Sequence, residues 1–258
     1  MHIKKAKNIV RLHFEKLANS GHLRGEKTGK KAIHSFRTRV KKLRAILRLI
    51  ATTIDEPDNL IFPRPFKNIY AACGRIRELQ LQVEKTKSFK RYNQQLKKDC
   101  RAEQRHLHHL INKKIFADTE KALLQHFPNA LPRDLVKRFT KKRMAVVNRL
   151  KQQSSLTDDE LHLIRKNLKD ILYVKEQTGE SSLSPVLFDR IEKMTEEIGK
   201  YNDLRTGLTY LDAEWINLVN PLEKSKLILL RNKYAEEKAA FKIVLIENLR
   251  NDFTVENC

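Results

Sequence analysis

Apolar residues recur at spacings of three and four through almost the whole chain, a period that suits helices buried along one side and excludes the alternation of half-buried strands. The interruptions fall at Ser20-Gly21, Pro57, Pro63 and Pro65, Pro128 and Pro132, Gly179 with Pro185, and Pro221, all residue types that start or stop helices. Seven glycines and seven prolines in 258 residues are too few for a turn-rich β fold. The chain therefore reads as all-α, with helices over about 3–19, 28–53, 64–85, 87–113, 115–127, 132–153, 158–178, 185–212 and 221–250. The start of the seventh is written as Thr157-Asp158-Asp159-Glu160, a capping box whose acidic residues also suit the positive end of the helix dipole.

The segment Phe127-Pro128-Asn129-Ala130-Leu131-Pro132 divides the chain into similar halves, 1–128 and 129–258, which share a weak internal repeat. His34-Ser-Phe-Arg37-Thr-Arg-Val-Lys41 aligns with His162-Leu-Ile-Arg165-Lys-Asn-Leu-Lys169, giving H-x-x-R-x-x-x-K twice. Downstream, Gly74-Arg-Ile-Arg77-Glu78-Leu79 matches Gly199-Lys-Tyr-Asn202-Asp203-Leu204. Two motifs in the same order at similar separation point to duplication of a helical unit.

The chain carries 53 Lys and Arg against 31 Asp and Glu, a formal charge of +22. A surplus of that size concentrates anionic partners and makes their binding salt-sensitive. Much of it is organised. At 100° per residue, Lys27, Lys30, His34, Arg37, Lys41, Arg44 and Arg48 fall within roughly a quarter of one helix circumference. The apolar arc of Ile33, Phe36, Val40, Leu43, Leu47 and Ile50 lies next to it. Between 22 and 48 there are ten Lys or Arg and only Glu26 to oppose them. Like charges at such spacing destabilise an isolated helix by a few tenths of a kcal/mol per pair, a cost that an external polyanion removes.

The residue types suit phosphate: Arg offers a planar fork, Lys a mobile point charge, and each stripe opens with a histidine that gains charge as the pH falls. The second stripe, His162, Arg165, Lys166 and Lys169, is weaker. From 157 to 178 the chain has four basic and five acidic residues, and Leu172 stands where the first repeat has Arg44. Arg75, Arg77, Arg138 and Lys142 are further candidate contacts. Arg138 and Lys142 belong to a basic run with Arg133, Lys137, Lys141 and Arg143; Lys97, Lys98, Arg101 and Arg105 form another basic cluster.

Other functions find less support. Cys73, Cys100 and Cys258 show no CxxC spacing, so neither a disulfide framework nor a zinc site is expected, and a reducing cytoplasm fits. No signal peptide or membrane span is expected. Glu78 and Asp203 are isolated acids rather than a metal-binding cluster or nucleophile–base pair, so the expectation is a non-enzyme with no catalytic residue, metal or cofactor. The alternative is a nucleic-acid-binding helical protein. The charge permits it, but the stripe has no interleaved aromatics for base stacking and no recognised reading motif, so no sequence-specific nucleic-acid contact is expected.

These residues resemble the CHAD domain (histidine alpha-helical domain) family: H-x-x-R-x-x-x-K-K-x-R at His34–Arg44, H-x-x-R-x-x-x-K-x-x-x-Y at His162–Tyr173, and the shorter elements Arg75–Glu78 and Tyr201–Asp203. The resemblance implies two antiparallel helical bundles related by pseudo-twofold symmetry, forming one compact unit. Between them it implies a basic groove for inorganic polyphosphate, with other polyanions as further partners and a location on polyphosphate granules. His34, Arg37, Lys41, Arg44, His162, Arg165 and Lys169 would line that groove. Family members are often fused to a triphosphate tunnel metalloenzyme domain; its E-x-E-x-K signature is not found here, so a stand-alone member is expected.

Overall fold

The structure is a computed structural model that describes residues 1–19, 23, 29–212, 216–217 and 219–252. Among these residues there are nine α-helices and no strand. They are α1 (Ile3–Ala18), α2 (Lys30–Ala51), α3 (Arg64–Lys85), α4 (Lys90–Leu110), α5 (Lys113–Gln125), α6 (Leu135–Lys151), α7 (Asp158–Thr178), α8 (Pro185–Leu211) and α9 (Pro221–Asp252). A short 3-10 turn, Pro57–Leu60, precedes α3. The helices follow the apolar period and the Gly and Pro breaks. Ends differ from the sequence reading by up to three residues; at α5 a cap explains the difference, since Asn112 accepts from the Lys114 N–H at 2.9 Å and the helix begins two residues earlier than its apolar pattern suggests.

Contacts divide the chain into two compact units. The first is Met1–Val136 with Gln177–Gly179, and the second is Lys137–Glu176 with Glu180–Cys258. In the first, α3 packs along α4 and α2, and α1 along α2 and α5. Its centre is aromatic: Phe66 meets Phe14 at 5.8 Å between ring centroids, Phe116 at 5.9 Å and Phe62 at 4.5 Å, and Phe116 also meets Phe36 at 6.4 Å. Edge contacts of this kind add about 0.5–1.5 kcal/mol each beyond the burial of the rings.

Helix α2 buries the expected arc of Ile33, Phe36, Val40, Leu43, Leu47 and Ile50, and also Ala45, Ile46 and Leu49. Its second half is therefore enclosed on nearly every side, and Arg44 and Arg48 occupy the remaining half-buried strip. This arrangement fixes the direction of the basic row: the helix cannot rotate without placing a guanidinium in the core.

The core of the second unit draws on Met144, Val147 and Leu150 from α6, Ile164, Leu168 and Ile171 from α7, Ile191, Met194 and Ile198 from α8, and Leu245 and Leu249 from α9. The capping box at the head of α7 is formed, with Thr157 N–H donating to Glu160 Oε2 at 2.8 Å and Glu160 N–H to Thr157 Oγ1 at 3.2 Å. Beside it, Asp158 gathers three helices. It accepts from the Tyr201 hydroxyl of α8 at 2.5 Å and from Lys238 Nζ of α9 at 2.5 Å, with Lys242 Nζ at 3.5 Å and Arg205 Nε at 3.8 Å. Burial raises the Asp158 carboxyl pKa, but the bonds from Lys238 and Tyr201 outweigh it and hold the group down at about 2.

Candidate anion-binding site

The first unit carries the denser cationic surface. Lys27 lies outside the described residues; Lys30 and His34 are exposed, and Arg37, Lys41, Arg44 and Arg48 are half-buried along α2. From Lys30 to Arg48 the row spans about 27 Å at 1.5 Å per residue. Two of its guanidiniums share one support. Arg37 lies 5.0 Å and Arg44 4.7 Å from the centroid of the Tyr70 ring on α3, and Arg44 also approaches Phe62 at 5.8 Å. At these distances each guanidinium is drawn to the face of the ring, which limits where it can point.

Arg37 is also fitted to the backbone. A Cβ built on Gly74 would stand 2.5 Å from Arg37 Nη1, so glycine is what lets the guanidinium lie against α3. This contact joins the two sequence motifs of the first half, H-x-x-R on α2 and G-x-x-R-E on α3. Glu78, one turn further along α3, has its carboxyl pKa raised by burial against the opposing pull of Arg37 and Arg75.

The second unit repeats the join with different atoms. Arg165 Nη2 lies 3.3 Å from a Cβ built on Gly199, and Arg165 Nε donates to the Thr195 carbonyl at 3.0 Å. Thr195 precedes Gly199 by four residues, as Tyr70 precedes Gly74. The aromatic support of the first unit is thus replaced by a backbone acceptor, which uses one of the donors of Arg165. Lys169 has its pKa lowered by burial and by Arg165, an effect opposed by Glu192, Glu196 and Glu176. Leu172 packs against the unit's apolar core. His162 and Lys166 are exposed, as are Arg138 and Lys142 on α6.

Several predicted cations have partners within the protein. Lys30 Nζ lies 2.9 Å from Glu84 Oε2, an acid from α3 that a reading of α2 alone does not supply. Arg75 Nε lies 2.9 Å from Glu103 Oε1 and ties α3 to α4. Arg143 stands 3.4 Å from Asp170 Oδ2, 3.3 Å from Asn167 Oδ1 and 4.7 Å from the Phe139 ring centroid, so it joins α6 to α7. Tyr201, first residue of the Y-N-D element, is buried and donates to Asp158, while Asn202 Nδ2 bonds back to Ile198 O at 2.9 Å.

Arg77, half-buried on α3, belongs with the first row: it, Lys41 and Arg37 all depress the pKa of His34, after partial burial, which is the larger cause. Each of these disfavours the imidazolium form of His34. Tyr70 is the functional residue that sequence reasoning missed; the available signal was its position one turn before Gly74, on the face of α3 that meets Arg37. Among the described residues, no group of three or more His, Cys, Asp or Glu is placed to hold a metal, and no helix is long and apolar enough to cross a membrane.

The fold and these cationic surfaces define an all-helical module built from a repeated arginine-on-glycine unit. The chain belongs to the CHAD domain family, whose model matches residues 8–212. Among solved structures it is similar to the CHAD domain from the plant Ricinus communis, at 15% identity and a TM-score of 0.72, covering 96% of this chain and 91% of that one. It is also similar to PptA from Streptomyces chartreusis, at 12% identity and a TM-score of 0.64, covering 96% of this chain and 99% of that one. At these identities the likeness is one of fold. No curated protein sequence matches the chain.

Proposed function

We propose that this protein binds inorganic polyphosphate, with the α2 row as its main contact. The supporting observation is the arrangement of Arg37 and Arg44 on the single ring of Tyr70: two guanidiniums from positions about 10 Å apart along one helix, with Lys41 between those positions and Arg48 one turn beyond. A linear chain of phosphates meets such a row repeatedly and requires no base reader. The groove between two bundles that the family resemblance implies, the contribution of His162, Arg165 and Lys169 to it, and a place in the cytoplasm on polyphosphate granules belong to this proposal.

Nucleic acid is the competing ligand. A single-stranded binder exposes aromatic faces for bases to stack on. Tyr70, the aromatic ring of this surface, is instead covered by two guanidiniums. The proposal includes no catalysis.

The test is titration of labelled long-chain polyphosphate over a range of salt concentrations, with wild type and the His34→Ala, Arg37→Ala, Lys41→Ala variant. Steep salt dependence and loss of most affinity in the variant are expected; undiminished binding would sink the assignment. Competition by duplex or single-stranded nucleic acid at equal phosphate concentration would favour the other ligand. Release of phosphate on adding Mg²⁺ or Mn²⁺ would make the protein an enzyme.

A further inference from the structure

Helix α9 lies beyond the stretch matched by the family model and has a surface unlike the rest of the chain. Its inner side is fixed to the second unit by Leu227, Leu245 and Leu249, all fully buried, and by the Lys238 and Lys242 contacts to Asp158. Its outer side is also apolar. Leu222, Leu229 and Ile243 are 69%, 68% and 70% exposed, and five of the nine large hydrophobic residues exposed among the described residues belong to this helix. A helix serving only as the wall of one bundle is apolar on one side; this one carries large apolar residues on two opposite sides.

The outer stripe has an internal polarity. At 100° per residue, Leu222, Leu229 and Ile243 share an arc of about 100° with Lys226, Lys233, Glu236, Ala240 and Glu247. All of these are exposed. The two lysines lie in the first half of the helix and the two glutamates in the second. Lys233 makes one loose pair along its own helix, 3.9 Å from Glu237.

We propose that this stripe is a docking surface for the α9 stripe of a second copy of the chain, packed antiparallel about a twofold axis near position 236. A twofold contact must be self-complementary, because each surface element meets its rotated image. With the axis there, Leu229 faces Ile243 of the other copy and Lys226 comes opposite Glu247, while Glu236 meets its own image on the axis and has Lys233 of the other copy within a turn to offset it. A parallel arrangement would set like against like at all four charged positions rather than at Glu236 alone. The balanced charge also matters because a chain at +22 repels its copies over most of its surface. Here two cations meet two anions on each side, and apolar residues between them supply the burial.

The experiment is sedimentation velocity or light scattering after size exclusion, on the full chain without polyanion. Wild type is expected to dimerise with rising concentration, and Leu229→Glu to stay monomeric, with helicity and melting temperature equal to those of wild type at dilutions where both are monomers, since the side chain it replaces is exposed. The variant Lys226→Glu, Lys233→Glu has a stripe of one sign, as does the variant Glu236→Lys, Glu247→Lys; each alone should be monomeric, and an equimolar mixture should form a heterodimer. A wild type that stays monomeric, a Leu229→Glu variant that still dimerises, or charge variants that fail to pair on mixing would overturn the proposal.

Discussion

Arg37 and Gly74 are fitted to each other: Nη1 of the arginine occupies space that any side chain at position 74 would claim, 2.5 Å from its Cβ. Glycine within a helix ordinarily costs about 1 kcal/mol relative to alanine. In Gly74→Ala the obstructed atom is the tip of a flexible side chain, which can move. The variant should therefore fold with equal or higher melting temperature, by up to about 1 kcal/mol, while its polyphosphate affinity falls. Thermal melts and binding titrations on the same sample check this. A loss of stability in step with affinity would mean that the contact serves packing alone. Gly199→Ala should act in the same sense but more weakly, since its Cβ would stand 3.3 Å from Arg165.

Tyr70 stacks against both Arg37 and Arg44. Tyr70→Ala should weaken polyphosphate binding by about 1–2 kcal/mol, because two half-exposed cation–π contacts of about 0.5–1 kcal/mol each no longer orient the forks. Tyr70→Phe keeps the ring and should bind as wild type does. Calorimetry of the pair separates the ring from its hydroxyl.

Partial burial, Arg77, Lys41 and Arg37 hold the pKa of His34 below 6.5 in the free protein. A bound polyanion offsets those cations and raises it. Binding should then take up a proton: affinity should rise as the pH falls through the bound-state pKa and level off below the free-state value. His34→Gln should remove that part of the pH dependence. Histidine chemical shifts recorded with and without polyphosphate give both pKa values directly.

Asp158 bears on stability. Its folded pKa of about 2 lies below the ordinary 3.8, so the charged form is stabilised in the fold. That stabilisation is present above 3.8 and is lost as the pH falls from there toward about 2. Allowing for solvent screening at a partly exposed site, it amounts to about 1–2 kcal/mol. Asp158→Asn should lower the melting temperature at neutral pH and flatten the acid limb of the stability curve over that window, as acid titration followed by circular dichroism would show.

The helices were legible in the sequence because period, caps and breaks are local: Thr157 and Glu160 name their own helix start, and Pro185 and Pro221 name two others. The repeated arginine was legible from spacing alone. What lay outside the sequence came from neighbouring helices. Glu84 finds Lys30 and Tyr70 finds Arg37 and Arg44 only once α3 is packed beside α2, and Glu103 finds Arg75 only across α3 and α4. The weakness of the second stripe was visible as a shortage of net charge on α7. Its further cause, the carboxylates of Glu192 and Glu196 near Lys169, comes from α8 and has no trace in the motif itself.

The enclosure of the second half of α2 limits how this surface can vary. Inserting or deleting one residue before Lys41 would turn everything after it by about 100°, driving Arg44 and Arg48 toward the interior and bringing Leu47 or Ile50 out to solvent. Core and cationic surface are read from one helix in one phase. A cation can therefore be exchanged at one position with the helix still seated, as Leu172 stands where the first repeat has Arg44, whereas a change of register between His34 and Arg48 would unseat core and cations together.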